Sequence, residues 1–197
     1  MKFLLPLPYS VLIMSLYLPM FRIIFIVLCW ICLRVIWFLT DSRNIVTRIS
    51  TLGWVSICFV VVIVLQLWSF LTDKLTIDGI NHQLMWFGYG WFVLGWLLAV
   101  WAKVTMNVHW GEPGKFDNHR QTKLVTEGPF RISRNPIYLG LMMMVFGSGL
   151  ILNTYLFFTV LGLFIYIRRK VLLEEQLLSS HFGDQYLEYK EKVRRWI

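Results

Sequence analysis

From Leu52 to Leu71 the chain carries a single strongly polar side chain, Gln66. That stretch alone limits the folds open to it. The hydrocarbon core of a bilayer is about 30 Å thick, and a helix needs roughly 20 apolar residues to cross it. Leu84–Val104 is a second run of this kind, rich in Trp and ending at Lys103, which is placed to snorkel to an interface. The stretch from Phe3 to Leu39 is also apolar but is broken by Pro6, Pro8, Pro19, Arg22 and Arg34. It reads as one span at about Met20–Leu39, preceded by a segment that is interfacial or a short extra span. No small-residue cleavage site ends it, so a removed signal peptide is not expected. Only 15% of the 197 residues are charged and 57% are hydrophobic. Ordinary soluble domains carry roughly a quarter charged residues, so this chain lacks the polar surface to cover a globule in water. Its 17% aromatic content excludes a disordered chain.

Two shorter apolar runs, Tyr138–Leu152 and Tyr155–Ile167, are separated only by Asn153 and Thr154. So short a link forces antiparallel neighbours, which predicts a helical hairpin. Pro136 suits the first position of its first helix, with Asn135 as the N-cap. The second helix is expected to continue through Arg168, Arg169 and Lys170 to Glu174 and Glu175. After a break at Gly183-Asp184, the spacing of Phe182, Tyr186, Tyr189, Val193 and Ile197 predicts an amphipathic helix lying on the membrane or on the cytoplasmic loops. The expected architecture is therefore an all-α polytopic bundle of about five transmembrane helices.

The net charge of +8 is not spread evenly. Arg43 and Arg48 follow the first span; Lys103, Lys115, Arg120, Lys123, Arg131 and Arg134 lie between the third span and the hairpin; seven more follow Ile167. Only Lys2 and Lys74 fall on the other side, and Arg22 and Arg34 sit in the first span. The positive-inside bias accounts for this, makes the loop and tail cytoplasmic, and removes the need for a nucleic-acid partner. Cys29, Cys32 and Cys58 lie within apolar runs and imply neither disulfide nor zinc site. The four His residues show no ligand spacing, so no metal is expected. Gly147-Ser148-Gly149 and Gly88-Tyr89-Gly90 have no strand before them and are not dinucleotide fingerprints. His109-Trp110 is either a substrate contact or an interfacial anchor.

Polar residues gather in two places, His109–Asn135 and Arg168–Glu175, both on the cytoplasmic side where they can meet. Leu124 to Gly140 reads L-V-T-E-G-P-F-R-I-S-R-N-P-I-Y-L-G, and Glu174 to Lys190 reads E-E-Q-L-L-S-S-H-F-G-D-Q-Y-L-E-Y-K. This pair of segments, one hairpin apart, resembles the signature of the isoprenylcysteine carboxyl methyltransferase and phospholipid methyltransferase superfamily. The resemblance covers the last 80 or so residues; the first 100 match it only as a set of spans.

The resemblance implies a single integral-membrane domain, with spans in 1–104 and a cofactor-binding loop, hairpin and tail in 105–197. It implies S-adenosyl-L-methionine as cofactor, an active site facing the cytosol, and a lipophilic acceptor drawn from the bilayer. Carried over by position, the cofactor contacts are Lys115, Thr122, Lys123, Leu124, Val125, Phe130, Asn135, Pro136, Ile137, Tyr138 and Glu174, with Glu175 beside it. Lys170 stands where the isoprenylcysteine enzymes place an acceptor-binding Arg, and Arg134 or Arg168 would compensate for its weaker carboxylate clamp. The usual His of R-H-P is Asn135 here, as in the phospholipid enzymes, and Gly88-Tyr89-Gly90 would stand in for their G-x-G. A basic site without a His base favours an anionic acceptor over an amine, which must lose a proton. The expected reaction is O-methylation of an isoprenylcysteine-like carboxylate. The alternatives are phospholipid N-methylation, an NADPH-dependent sterol-reductase-like enzyme, and a non-catalytic membrane module.

Overall fold

Gly88 and Gly95 on one helix meet Gly147 and Gly140 on another, and this seam organises the molecule. A Cβ on Gly95 would lie 2.6 Å from the Gly140 carbonyl oxygen, and one on Gly147 would lie 2.8 Å from that of Gly88. The two backbones thus touch directly, as small residues permit where lipid offers helices no hydrophobic drive to associate. The computed structural model describes residues 9–40, 54–77, 82–106 and 123–197. Among them are six α-helices and no β-strand: α1 (Tyr9–Leu39), α2 (Trp54–Leu71), α3 (His82–Met106), α4 (Pro136–Ile151), α5 (Thr159–Phe182) and α6 (Asp184–Lys192). The glycine seam joins α3 to α4.

α1 runs unbroken through Pro19, so from Tyr9 onward the segment before Met20 is not a separate interfacial piece. It buries Arg22, Ile26 and Leu33 and turns Ile24, Leu28, Ile31 and Val35 outward. The outward faces of α2 and α3 are equally apolar, with Val60, Val64, Trp86, Leu94 and Leu97 exposed. Such a continuous apolar exterior belongs to a protein that faces lipid. Pro19–Leu39 and His82–Met106 are long and apolar enough to cross a membrane; α2 and α4 are shorter apolar helices.

Two polar side chains tie helices together. Gln66 is fully buried; its amide donates to the Val145 carbonyl at 3.1 Å and its oxygen accepts from Ser148 Oγ at 2.6 Å, tying α2 to α4. Trp96 Nε1 donates to the Cys29 carbonyl at 3.0 Å, tying α3 to α1. Lys103, expected to snorkel, is instead buried at 2% exposure.

One end of the bundle is closed by the α4–α5 hairpin. Asn153 adopts φ +54°, and Asn153 and Tyr155 exchange backbone hydrogen bonds of 2.8 Å with Ile77 and Leu75, just beyond α2. Arg22 reaches the Ile151 carbonyl at this same end. The opposite end collects the C-terminus of α3, the start of α4 and the later half of α5. Arg131, Arg134, Arg194 and Arg195 lie there.

Candidate functional site

At that end the chain between α3 and α4 is shaped by Gly128 and Pro129. Gly128 takes φ +58° against Thr105, where a Cβ would lie 3.0 Å from Thr105 Oγ1. Pro129 then starts the 3-10 turn Gly128–Arg131, which buries Phe130. α4 opens with Pro136, as expected, but Asn135 does not cap it with its side chain. Its Nδ2 donates instead to the Arg195 carbonyl at 3.2 Å, which also accepts from Ser133 Oγ at 3.1 Å. The amides of Ile137 and Tyr138, in the first turn, have no intrahelical acceptor.

These segments and the second half of α5 enclose a cavity of about 640 Å³, counting its open mouth. Leu124, Val125, Phe130, Arg134, Asn135, Pro136, Ile137 and Tyr138 line one side; Glu174 and Glu175 face them. The two stretches singled out in the sequence therefore meet. Not all expected residues join them. Lys123 is at the surface, 3.8 Å from Glu127, and Arg168 and Lys170 do not line the cavity. Lys115 and Thr122, like His109-Trp110, lie outside the described residues. Met106, Leu178, Tyr186 and Tyr189 line it without having been expected.

Gly88-Tyr89-Gly90 is not part of this site. Gly88 packs on Leu150 and Gly147, and Gly90 faces open space. Met106, the α3 residue at the cavity, is 18 positions further on, about 27 Å along a helix. The G-x-G equivalence fails, and Gly88 serves helix packing.

The two adjacent carboxylates have different surroundings. Glu175 is 6% exposed and held from both sides. Arg195 donates from Nε to its Oε1 at 2.9 Å and from Nη2 to its Oε2 at 2.8 Å, and Arg134 Nη2 lies 3.3 Å from Oε1. A buried carboxylate needs such partners to offset its desolvation. Glu174 accepts one hydrogen bond from Tyr138 Oη at 3.3 Å. Burial pushes its carboxyl up to about 7; Tyr138 and Lys170 oppose the rise and Glu175 adds to it. Glu174 is thus ready to take a cation, whereas Glu175 is already neutralised. Arg134 keeps Nε and Nη1 buried without a hydrogen-bond partner among the described residues. A cavity with a cation-seeking carboxylate, free guanidinium and amide donors, and the aromatic ring of Phe130 suits a zwitterionic ligand that carries a flat ring.

The expected tail helix is shorter than its apolar spacing suggested. Gly183, at φ +53°, breaks the chain as expected, and α6 buries Tyr186 and Tyr189 against the site. Tyr189 Oη donates to the Phe130 carbonyl at 2.7 Å. The helix ends at Lys192, and Val193 is extended. The segment Val193–Ile197 then crosses the site loop: Arg134 N donates to the Arg194 carbonyl at 3.0 Å, and Trp196 packs on Phe164, ring centroids 5.5 Å apart. Tyr186 and Tyr189 were visible as a three-residue repeat, but that spacing does not say which surface a helix covers. Nothing in sequence separates Arg195 from Lys190, Lys192 and Arg194 beside it.

Residues 84–185, just over half the chain, match the phospholipid methyltransferase family model. The chain belongs to this family. The matched segment contains α3 from Leu84 on, the cavity lining except Tyr186 and Tyr189, and both carboxylates. Among curated relatives, the Schizosaccharomyces pombe protein-S-isoprenylcysteine O-methyltransferase is 36% identical over 74 residues, 36% of this chain and 30% of that protein. Protein-S-isoprenylcysteine O-methyltransferase A of Arabidopsis thaliana is 26% identical over 140 residues, covering 68% of this chain and 71% of that protein. The chain thus spans under a third of the first relative's length. The solved structure of a eukaryotic intramembrane Ras methyltransferase, isoprenylcysteine carboxyl methyltransferase, shares the fold at a TM-score of 0.51 and 22% identity, over 77% of this chain and 52% of that one.

Proposed function

We propose that this family member is an S-adenosylmethionine-dependent methyltransferase that O-methylates an isoprenylcysteine-like carboxylate at the cytosolic face of a membrane. In this reading α1 to α5 all span the bilayer and the basic end faces the cytosol. One observation carries it: the cavity unites, within the family-matched segment, a carboxylate free to take a cation with donors free to take an anion. The cofactor fits that donor set, since it carries an ammonium, a carboxylate, a ribose and an adenine. When bound it supplies an electrophilic methyl group on a sulfonium sulfur.

The chain's own part is positional. Glu174 holds the ammonium, with Tyr138 fixing the carboxylate's orientation. Arg134 and the first-turn amides of α4 supply donors for a carboxylate. Phe130 offers its face to the adenine, while Leu124 and Val125 dry the wall behind it. Lys170, with Arg168, draws the acceptor's carboxylate in from the bilayer side. That carboxylate is ionised at neutral pH, so no base is required. In-line displacement then depends on aligning acceptor oxygen, methyl carbon and sulfur in a closed site.

Phospholipid N-methylation is the second reading, favoured by Asn135 at the usual His position and by Glu174, whose raised carboxyl would accept an amine proton. Calorimetry of the detergent-solubilised protein with S-adenosylhomocysteine and, separately, NADPH tests the cofactor. Labelled S-adenosylmethionine offered with N-acetyl-S-farnesylcysteine or phosphatidylethanolamine vesicles tests the acceptor. Binding of NADPH alone would refute both readings, and label in the vesicle lipid alone would overturn the first in favour of the second.

A further inference from the structure

The segment Val193–Ile197 lies beyond the family-matched residues, yet it laces onto the site through side chain and backbone alike. The Arg195 carbonyl holds Ser133 and Asn135, its guanidinium takes both oxygens of Glu175, and Trp196 pins the segment to α5 through Phe164. The consequence falls on Arg134. Nη2 lies 3.3 Å from Glu175 and the Tyr186 hydroxyl interacts with the same guanidinium, while Nε and Nη1 have no hydrogen-bond partner among the described residues in a side chain 7% exposed that lines the cavity.

We propose that Arg195 is a positioning residue: by neutralising Glu175 it keeps two donors of Arg134 available to bind a ligand carboxylate in the cavity. This rests on the methyltransferase reading and goes beyond it in assigning Glu175 and Arg195 a task. Without Arg195, the buried Glu175 carboxylate has Arg134 as its one strong partner and pulls the guanidinium into a two-pronged pair. The donors then leave the cavity. The carboxylate they serve belongs either to the cofactor's amino-acid end or to the acceptor.

The test compares wild type, Arg195→Gln and the double variant Glu175→Gln/Arg195→Gln. Each is titrated by calorimetry with S-adenosylhomocysteine and with its decarboxylated analogue, which keeps the amine, and assayed for KM toward N-acetyl-S-farnesylcysteine. Arg195→Gln is expected to weaken S-adenosylhomocysteine roughly 10- to 100-fold, the worth of a charge-assisted contact, and the analogue by less than about threefold. The double variant, with no carboxylate left to sequester Arg134, is expected to recover wild-type affinity. A rise in acceptor KM of the same size, with both nucleosides unaffected and recovery in the double variant, assigns the carboxylate to the acceptor and equally supports the proposal. Equal weakening of both nucleosides would overturn it, since a merely structural strap gives that result. No change in any readout, or a double variant no better than the single, would also overturn it. Wild-type protein that binds neither nucleoside overturns the methyltransferase reading and this one together, whereas the other failures strike this one alone.

Discussion

Replacing Glu174 by Gln takes one negative charge out of the cavity while keeping the shape of the side chain. If the carboxylate holds the ligand's ammonium, the loss is that of a charge-assisted hydrogen bond, roughly 1.5–3 kcal/mol, or about 10- to 150-fold in affinity. The wild type should also show a pH signature that the variant lacks. Burial raises the Glu174 carboxyl to about 7, and only its ionised form pairs with an ammonium. Affinity for S-adenosylhomocysteine is therefore expected to fall as pH drops from 7.5 to 5.5, approaching tenfold per unit well below 7, with a proton released on binding near neutrality. Stability without ligand runs the other way. The unfolded carboxyl keeps its ordinary value of 4.5, so between 4.5 and 7 the folded state binds more protons than the unfolded one. Stability from this group is then lost as pH rises through that window, up to about 3 kcal/mol. The Glu174→Gln variant should consequently melt higher than wild type at pH 8 in detergent and yet bind worse. Calorimetry at three pH values in two buffers of different ionisation heat, beside thermal melts, reads all of this. Wild-type affinity that does not change between pH 7.5 and 5.5, or a variant that binds as tightly as wild type, refutes the reasoning.

Other substitutions probe the frame around the site. Gly95→Ala places a methyl 2.6 Å from the Gly140 carbonyl oxygen and should cost roughly 1–3 kcal/mol, read as a lower melting temperature in detergent. Tyr189→Phe leaves the Phe130 carbonyl without its 2.7 Å donor; a loss of about 1–3 kcal/mol of stability and several-fold weaker S-adenosylhomocysteine binding are expected, the latter by calorimetry. Gln66→Leu cuts the link between α2 and α4 far from the cavity. It should lower the melting temperature slightly, as cross-helix hydrogen bonds in membranes average about 0.6 kcal/mol, and leave nucleoside affinity unchanged.

Helix positions were legible because the requirement for a run of apolar residues is itself one-dimensional. α2, α3 and the hairpin begin and end within a few residues of the limits read from the sequence, and Asn153-Thr154 makes the turn that their spacing implied. What joins helices was not legible in the same way. Gly88, Gly95, Gly140 and Gly147 recur seven residues apart on two segments, but only the fold makes them one seam, and the local G-x-G pattern pointed away from it. Lys103 shows the same difficulty. Its place at the end of an apolar run suggested an interface, whereas it is buried in the last turn of α3 together with Ala99 and Ala102. The tail was legible in part: its break and helix were expected, but an apolar repeat every three or four residues fits a helix laid on a membrane as well as one laid on protein, and it ran past the helix end at Lys192.

The Glu174-Glu175 pair shows how chemistry separates residues that sequence treats alike. Successive positions on a helix point about 100° apart, so two neighbouring carboxylates cannot meet the same partners. Glu175 meets Arg134 and Arg195 and is charge-balanced before any ligand arrives; Glu174 meets Tyr138 and is left with its charge suppressed by burial. The first arrangement makes a rigid wall and the second a group whose ionisation a cationic ligand can drive. A ligand that brings its own ammonium restores the charge on Glu174 at the moment of binding, so affinity and protonation become one event. The partner residues that create this division come from the loop before α4 and from beyond α6, some 60 positions apart in sequence. No window around the two glutamates contains that information, and this is why the motif pointed to the cavity but not to the division between the two carboxylates within it.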